Sequence, residues 1–300
     1  MPRDKKVKKM DLQKQMEKTA FLSLIPLLLI LVFLKGIPTG IAIVKSFTNW
    51  DGAFKSDFVG LRNYKALFDN RELLTMLGNN LFLLLHIPIQ LFIGFILALF
   101  VYDRVPGYRL VRVLYYLPHV TSIVIIGTLF RSFFRDNGPV NWVLTQLSLP
   151  TKNWLINRWS ANSVILAAMV YQSLGWQMLI LSGGLSSMDP QVIEAAKIDG
   201  AGYWQRLFRV VIPMQIRSIE YSIVISIIWV FSGLYSFIYT ITGGGPGYDT
   251  TTMDYMVYIK AFKSHGQMGM ACACSVLLLA VVLVLVYFQR KLTDKVSDWQ

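Results

Sequence analysis

Residues 159–188 read Trp-Ser-Ala-Asn-Ser-Val-Ile-Leu-Ala-Ala-Met-Val-Tyr-Gln-Ser-Leu-Gly-Trp-Gln-Met-Leu-Ile-Leu-Ser-Gly-Gly-Leu-Ser-Ser-Met, without one Asp, Glu, Lys or Arg. A helix of about 20 apolar residues crosses about 30 Å of hydrocarbon, so this block is long enough alone. Further uncharged blocks run at Thr19–Leu34, Leu73–Tyr102, Val113–Phe130, Tyr221–Tyr248 and Gly266–Gln289. The 300-residue chain is 54% hydrophobic and 15% charged, with a mean hydropathy of +0.49. A soluble domain carries about a quarter charged residues. Here the charges are gathered between the blocks instead of thinned evenly. The reading is an all-α, polytopic membrane protein with six transmembrane helices, at about 20–46, 79–102, 113–134, 161–187, 219–242 and 267–288.

Basic residues orient the spans. The first 18 residues form a basic segment holding Arg3, Lys5, Lys6, Lys8, Lys9, Lys14 and Lys18, and 19–300 is the membrane domain. Such a run suits a nucleic-acid arm or a cytoplasmic retention signal. The second reading is preferred, because Lys- and Arg-rich short loops stay inside. No small-residue cleavage site follows the first apolar run, so it is read as a span and not a removed leader. With both termini cytoplasmic, inside segments carry 17 of the 29 basic residues and outside segments 9. That asymmetry explains most of the net charge of +12 without nucleic acid.

Several chemistries are not supported. Cys272 and Cys274 are two small side chains in the last block, not a disulfide scaffold or a zinc site. His86, His119 and His265 are too scattered for a metal cluster, although the first two lie where they can line a cavity. No Gly-x-x-x-x-Gly-Lys-Ser/Thr run occurs to cradle nucleotide phosphates. The Gly243-Gly244-Gly245-Pro246-Gly247 run has no following lysine; it reads as a tight turn or a pore-mouth element. Turns are also expected at Asp51-Gly52 and Asn137-Gly138-Pro139. No catalytic cluster emerges, so the chain is expected to be a non-catalytic subunit.

The connection 189–213 carries the most pattern. Asp189-Pro190 starts a helix: the carboxylate accepts free backbone N–H groups, and proline at the first helical position loses no bond. That helix is expected to end near Asp199-Gly200, with glycine closing it left-handed and Asp199 capping the next. A second short helix is expected from Tyr203 to Val211, stopping before Pro213. Trp204, Leu207, Phe208 and Val211 share one apolar face at helical spacing. Pattern alone supports either a rigid cytoplasmic knob or an interfacial connector stapled to lipid.

Glu194-Ala195-Ala196, Asp199-Gly200-Ala201, Phe208, Val210 and Ile212-Pro213 together resemble the EAA loop of ATP-binding-cassette importer permeases. Ser46-Phe47-Thr48-Asn49-Trp50, Val59-Gly60-Leu61-Arg62-Asn63-Tyr64 and Thr242-Gly243-Gly244-Gly245-Pro246 are similar to the maltose-type carbohydrate subfamily, and the matches extend from about residue 20 to the end. One departure is Arg217, where the family often has a second proline. The resemblance implies a type I importer permease fold whose loop inserts into a cleft of a cytoplasmic ATPase. Glu194 would make the polar contact, Ala195 and Ala196 would permit close approach, and Gly200 would make the turn. It also implies partners: a second permease subunit in a heterodimer, two ATPase subunits holding ATP and Mg, an extracytoplasmic solute-binding protein, a carbohydrate substrate and membrane lipid. This chain itself would hold no cofactor.

Sugars are held by amides, hydroxyls and aromatic ring faces, and such groups in mid-membrane are usually turned inward. The candidates are Gln172, Ser173, Trp176 and Gln177 in span four, Ser226 and Trp229 in span five, and Thr121 and Ser122 in span three. The competing explanation is that serine and threonine bond their own helix and that tryptophan anchors at interfaces. The rival function is an ion-coupled secondary transporter, which calls for intramembrane acids or broken helices. Only Lys35 and Arg131 are obvious charges within the spans.

Overall fold

Hydrocarbon offers no water to a bare amide, so a span must pair its backbone internally, and helices do. The computed structural model describes residues 3–297, which are helical almost throughout. Apart from one isolated antiparallel bridge between Thr48 and Phe58, the described residues form no β-structure. Four helical stretches are long and apolar enough to cross a membrane: Lys18–Lys45, Arg71–Tyr102, Arg158–Ser186 and Met268–Lys291. Two bent pairs, Tyr108–Val120 with Ile123–Gln146 and Tyr203–Met214 with Ile216–Ser232, bring the number to six when each is one span. The all-α, multi-span expectation holds.

The first span joins α1 (Arg3–Leu31) to α2 (Ile37–Lys45) through a π turn at Val32–Gly36 that carries Lys35. None of the apolar window of Lys18–Lys45 is covered by the rest of the chain, which leaves it facing lipid or another subunit. After α3 (Arg62–Phe68), α4 (Arg71–Leu83) and α5 (His86–Tyr102) form the second span. Asn70 starts it by accepting the Glu72 N–H at 3.0 Å.

Span three departs from the expected single helix over 113–134. It is α6 (Tyr108–Val120) and α7 (Ile123–Phe134), and the bend between Tyr108–Val120 and Ile123–Gln146 is 98°. Pro118 removes one rung near the end of α6, Thr121 and Ser122 take extended backbone, and Thr121 Oγ1 donates to Leu117 O at 2.9 Å, satisfying a freed carbonyl. Then come α8 (Pro139–Gln146), which starts at the Asn137-Gly138-Pro139 signal, and the unbroken span four, α9 (Arg158–Ser186).

Beyond α9 lie α10 (Pro190–Ile198), α11 (Tyr203–Arg206) and α12 (Ile212–Met214), and then span five. The expected helix over 219–242 is broken into α13 (Ile216–Ser232) and α14 (Tyr235–Ile241). The Trp229 indole packs over Gly233 at the break. Asp254 in α15 (Met253–Tyr258) accepts the Tyr235 N–H at 2.6 Å and so caps α14 from outside its own span. The last described element is α16 (Met268–Ser297).

The main core lies between spans two, three, four and five, built on Leu83, Ile126, Ile165, Met169, Phe231 and Phe237 with Tyr255 from α15. Two fully buried amides tie residues 243–267 to it. Asn80 Nδ2 donates to Val230 O at 2.9 Å while its Oδ1 accepts the Met253 N–H at 3.0 Å, and Asn79 Nδ2 donates to Thr251 O at 2.9 Å. The triple-glycine run is the expected tight turn, held by Thr250 Oγ1 donating to Gly245 O and Thr251 Oγ1 to Gly244 O, each at 3.0 Å.

Candidate functional site

Asp189 Oδ1 accepts the Gln191 N–H at 2.9 Å, and Pro190 takes the first helical position, as the sequence predicts. α10 closes with Gly200 at φ +79°, where Gly200 N donates to Lys197 O at 3.1 Å and Ala201 N to Ala196 O at 3.0 Å. This is the two-bond Schellman stop, which glycine enters without a Cβ penalty. Asp199 does not cap the next helix. It is the C-cap of this one, its N–H bonding Ala195 O at 2.9 Å, and Gly202 precedes α11 with no side-chain cap.

The second helix does not stop before Pro213. It passes from α11 through a π turn at Leu207–Val211 into α12, which contains Pro213. In the π turn the Ile212 N–H bonds Leu207 O, five residues back. That shifts the ladder so that the missing proline N–H falls at its edge. The expected single apolar face is also divided. Leu207 is buried and Val211 packs onto Ala98, Leu181, Leu185 and Met188, whereas Trp204 and Phe208 stay exposed and stack at 6.3 Å.

The result is a short helix stopped at both ends and seated on a small core through Ile193. Glu194, Ala195, Asp199 and Gly200 are exposed, while Ala196 and Ala201 are half-buried. Glu194 is therefore available to a partner and not tied into the fold.

The sugar candidates separate into two groups. Ser173 Oγ hydrogen-bonds His86 Nε2 at 2.7 Å, Gln177 Nε2 donates to Ser222 Oγ at 3.1 Å, and Gln90 Nε2 donates to Ser226 Oγ. Trp229 lies 5.3 Å from the His86 ring. All of these groups are buried or half-buried; the Ser173 and Ser226 hydroxyls and the Gln177 side-chain N–H are engaged by these partners, while His86 Nδ1 is buried without one. Gln172 is buried too. Trp176 is 39% exposed and stacks on His119 at 5.3 Å and 20°, one turn before Thr121 and Ser122 at the break in span three. The open face therefore carries Trp176, His119 and the break, not the amides. Gln90 and Ser222 were not read from the sequence; their signal is a polar side chain one turn from another polar one, His86 and Ser226 respectively, within an apolar block.

Among the described residues no three His, Cys, Asp or Glu side chains gather as a metal site requires. Cys272 and Cys274 are free, the second buried.

Known proteins agree with this architecture. The chain is 29% identical over 279 residues to the multiple sugar-binding transport system permease protein MsmF of Streptococcus mutans, covering 91% of this chain and 93% of that one. It is 33% identical over 248 residues to a probable ABC transporter permease protein of Pyrococcus horikoshii, covering 81% and 85%. In fold it is similar to a chain of a bacterial ABC transporter involved in the import of the acidic polysaccharide alginate, with a TM-score of 0.78 at 23% identity, covering 95% of this chain and 99% of that chain. Nothing in these likenesses favours the ion-coupled transporter. Residues 90–298 match the family described as binding-protein-dependent transport system inner membrane component, and the chain belongs to that family.

Proposed function

We propose that this chain forms half of the translocation pathway of an ATP-driven carbohydrate importer. A second, different permease subunit supplies the other half. Two ATPase subunits bind ATP and Mg, and an extracytoplasmic binding protein delivers the sugar. The substrate class rests on relatives named for sugars and starch degradation products. Both termini are cytoplasmic in this reading, as the basic-residue asymmetry favours.

The observation that carries the coupling role is the doubly stopped, exposed helix Pro190–Ile198. A stiff element seated on spans two and four through Ile193, with Val211 of the following helix beside it, moves as a body when gripped, whereas a loop would absorb the displacement. ATP-driven closure of the partner ATPases then shifts the pathway between inward- and outward-facing states, which requires unequal ATP affinity for the two. Trp176, Thr121 and Ser122 are the positions from which a sugar ring and its hydroxyls are met.

The test is reconstitution with the partner subunits. Glu194→Ala is expected to reduce co-purifying ATPase and sugar uptake while the six spans stay inserted; full retention of both would remove the coupling role. Trp176→Ala is expected to lower sugar-stimulated ATP hydrolysis without dissociating the complex. A cysteine at Ala195 (Ala195→Cys) should resist a membrane-impermeant thiol reagent in intact cells and react once the membrane is opened. Labelling from outside would reverse the orientation.

A further inference from the structure

A cavity of about 620 Å³ opens where the turn between α5 and α6 faces the C-terminal end of α9. Arg104, Arg112, Tyr102 and Tyr108 line one side, and Ser182 and Ser186 line the other. Ser186 Oγ is spent on the Ser182 carbonyl at 2.8 Å, whereas Ser182 Oγ is buried without a partner. Arg109 is spent on Tyr108 Oη at 3.2 Å, while Arg104 and Arg112 make no side-chain hydrogen bond among the described residues.

Arg104 stands at φ +52°. It closes α5 with Arg104 N bonding Val101 O at 3.3 Å and Val105 N bonding Phe100 O at 3.2 Å, the same stop that Gly200 makes for α10. Glycine is the usual resident of that position, because a Cβ there crowds the backbone. Arg104 is exposed, so no packing gain compensates. What an arginine adds is a guanidinium held on the cavity wall by a short, sharply defined turn. A local rule broken at a polar cavity points to a ligand.

We propose that this cavity binds the phosphate group of an anionic ligand. A guanidinium fork presents paired N–H donors at the spacing of phosphate oxygens. Arg104 and Arg112 bring two such forks to one wall of the cavity, and Ser182, whose hydroxyl lacks a partner, stands on the other. Two sources carry that chemistry: the headgroup of an anionic phospholipid and a soluble phosphate ester. The inference rests on the proposed orientation, which sets Arg104 and Arg112 at the cytoplasmic face, where basic pockets between spans attract anionic headgroups. Occupancy sits next to the coupling hairpin, since Asp103 Oδ2 accepts from Tyr203 Oη at 3.4 Å.

Native mass spectrometry of the assembled importer tests this. The wild type and the Arg104→Gly/Arg112→Gln double variant are released from nanodiscs of phosphatidylcholine with and without phosphatidylglycerol, and a parallel arm titrates soluble glycerol 3-phosphate. Arg104→Gly removes the guanidinium from a position that glycine prefers, so an unlowered thermal midpoint shows that the fold survives. The expected result is a specific phosphatidylglycerol adduct on the wild type that falls at least tenfold in the double variant, which assigns the site to lipid. The same loss for glycerol 3-phosphate alone assigns it to a soluble ester. Adducts of equal abundance on both proteins, or none on the wild type, overturn the proposal. Sugar uptake is measured on the same preparation: an arginine-dependent adduct on a complex that moves no sugar would sink the importer reading and leave the site standing.

Discussion

Gly175 lies where α9 crosses α6, and its replacement by alanine gives a quantitative test of that seam. A Cβ built there falls 2.5 Å from Tyr116 Cα and 2.9 Å from Tyr115 C, and closer still to the Tyr115 carbonyl oxygen. All three are backbone atoms, so no rotamer change relieves the overlap. Ordinary van der Waals contact begins at 3.4 Å, so the helices must part by about 1 Å. Overpacking of that kind costs about 1–3 kcal/mol, and backbone neighbours put it at the upper end. Removing a helical glycine returns about 0.5–1 kcal/mol. The net loss is about 2 kcal/mol, close to a thirty-fold shift in the folding equilibrium. Gly183→Ala, about two turns further along the same helix, is the control, because nothing lies within 4 Å of its Cβ. It is expected to be neutral or slightly stabilising. Thermal melting of the purified complex should rank Gly183→Ala at or above wild type and Gly175→Ala several degrees below. Uptake by Gly175→Ala should fall as well, because the His119–Trp176 stack lies on the same seam. Equal effects of the two substitutions, or a Gly175→Ala protein as stable and active as wild type, would refute the close-approach argument.

Asn80→Ala strands the Val230 carbonyl and the Met253 N–H in the core, at about 1–3 kcal/mol for each group, so residues 243–267 should become protease-sensitive well below the wild-type melting temperature. Gly200→Val puts a β-branched residue at φ +79°, a cost of about 1–2 kcal/mol; circular dichroism should stay helical while ATPase co-purification drops, and undiminished docking would show that the turn is not needed. Burial pushes the Asp254 carboxyl up, against the pull of its hydrogen bonds from Thr252 Oγ1 and the Tyr235 N–H. Its folded pKa then exceeds the unfolded one, so its contribution is complete below the ordinary carboxylate range and is lost as pH rises through the raised value. Melting curves taken upward from acid pH should show wild type losing stability across that window, and Asp254→Asn should flatten the loss; parallel pH profiles would contradict it.

That the chain is helical with several membrane-length spans, and the stiff helix at Pro190–Ile198, were legible from the chain alone. Exclusion of apolar segments from water adds up residue by residue along one block, and the Asp189 cap and the Gly200 stop are contacts between neighbours in sequence. Pro118 and Gly233 are local hints of the breaks at Thr121-Ser122 and Gly233-Leu234, but they do not decide them, because a freed amide inside an apolar block is tolerable only if something else meets it. For Tyr235 that something is Asp254, nineteen residues away and on another helix. Likewise, Ser173, Gln177 and Ser226 looked like sugar ligands until His86, Ser222 and Gln90 were packed against them. Composition determined that polar groups would lie within these spans. Only the tertiary arrangement decided which of them satisfy one another and which, like Trp176, are left open. The reason is that a buried hydrogen bond needs a partner at about 3 Å, and span-to-span distance is not a property of any one span.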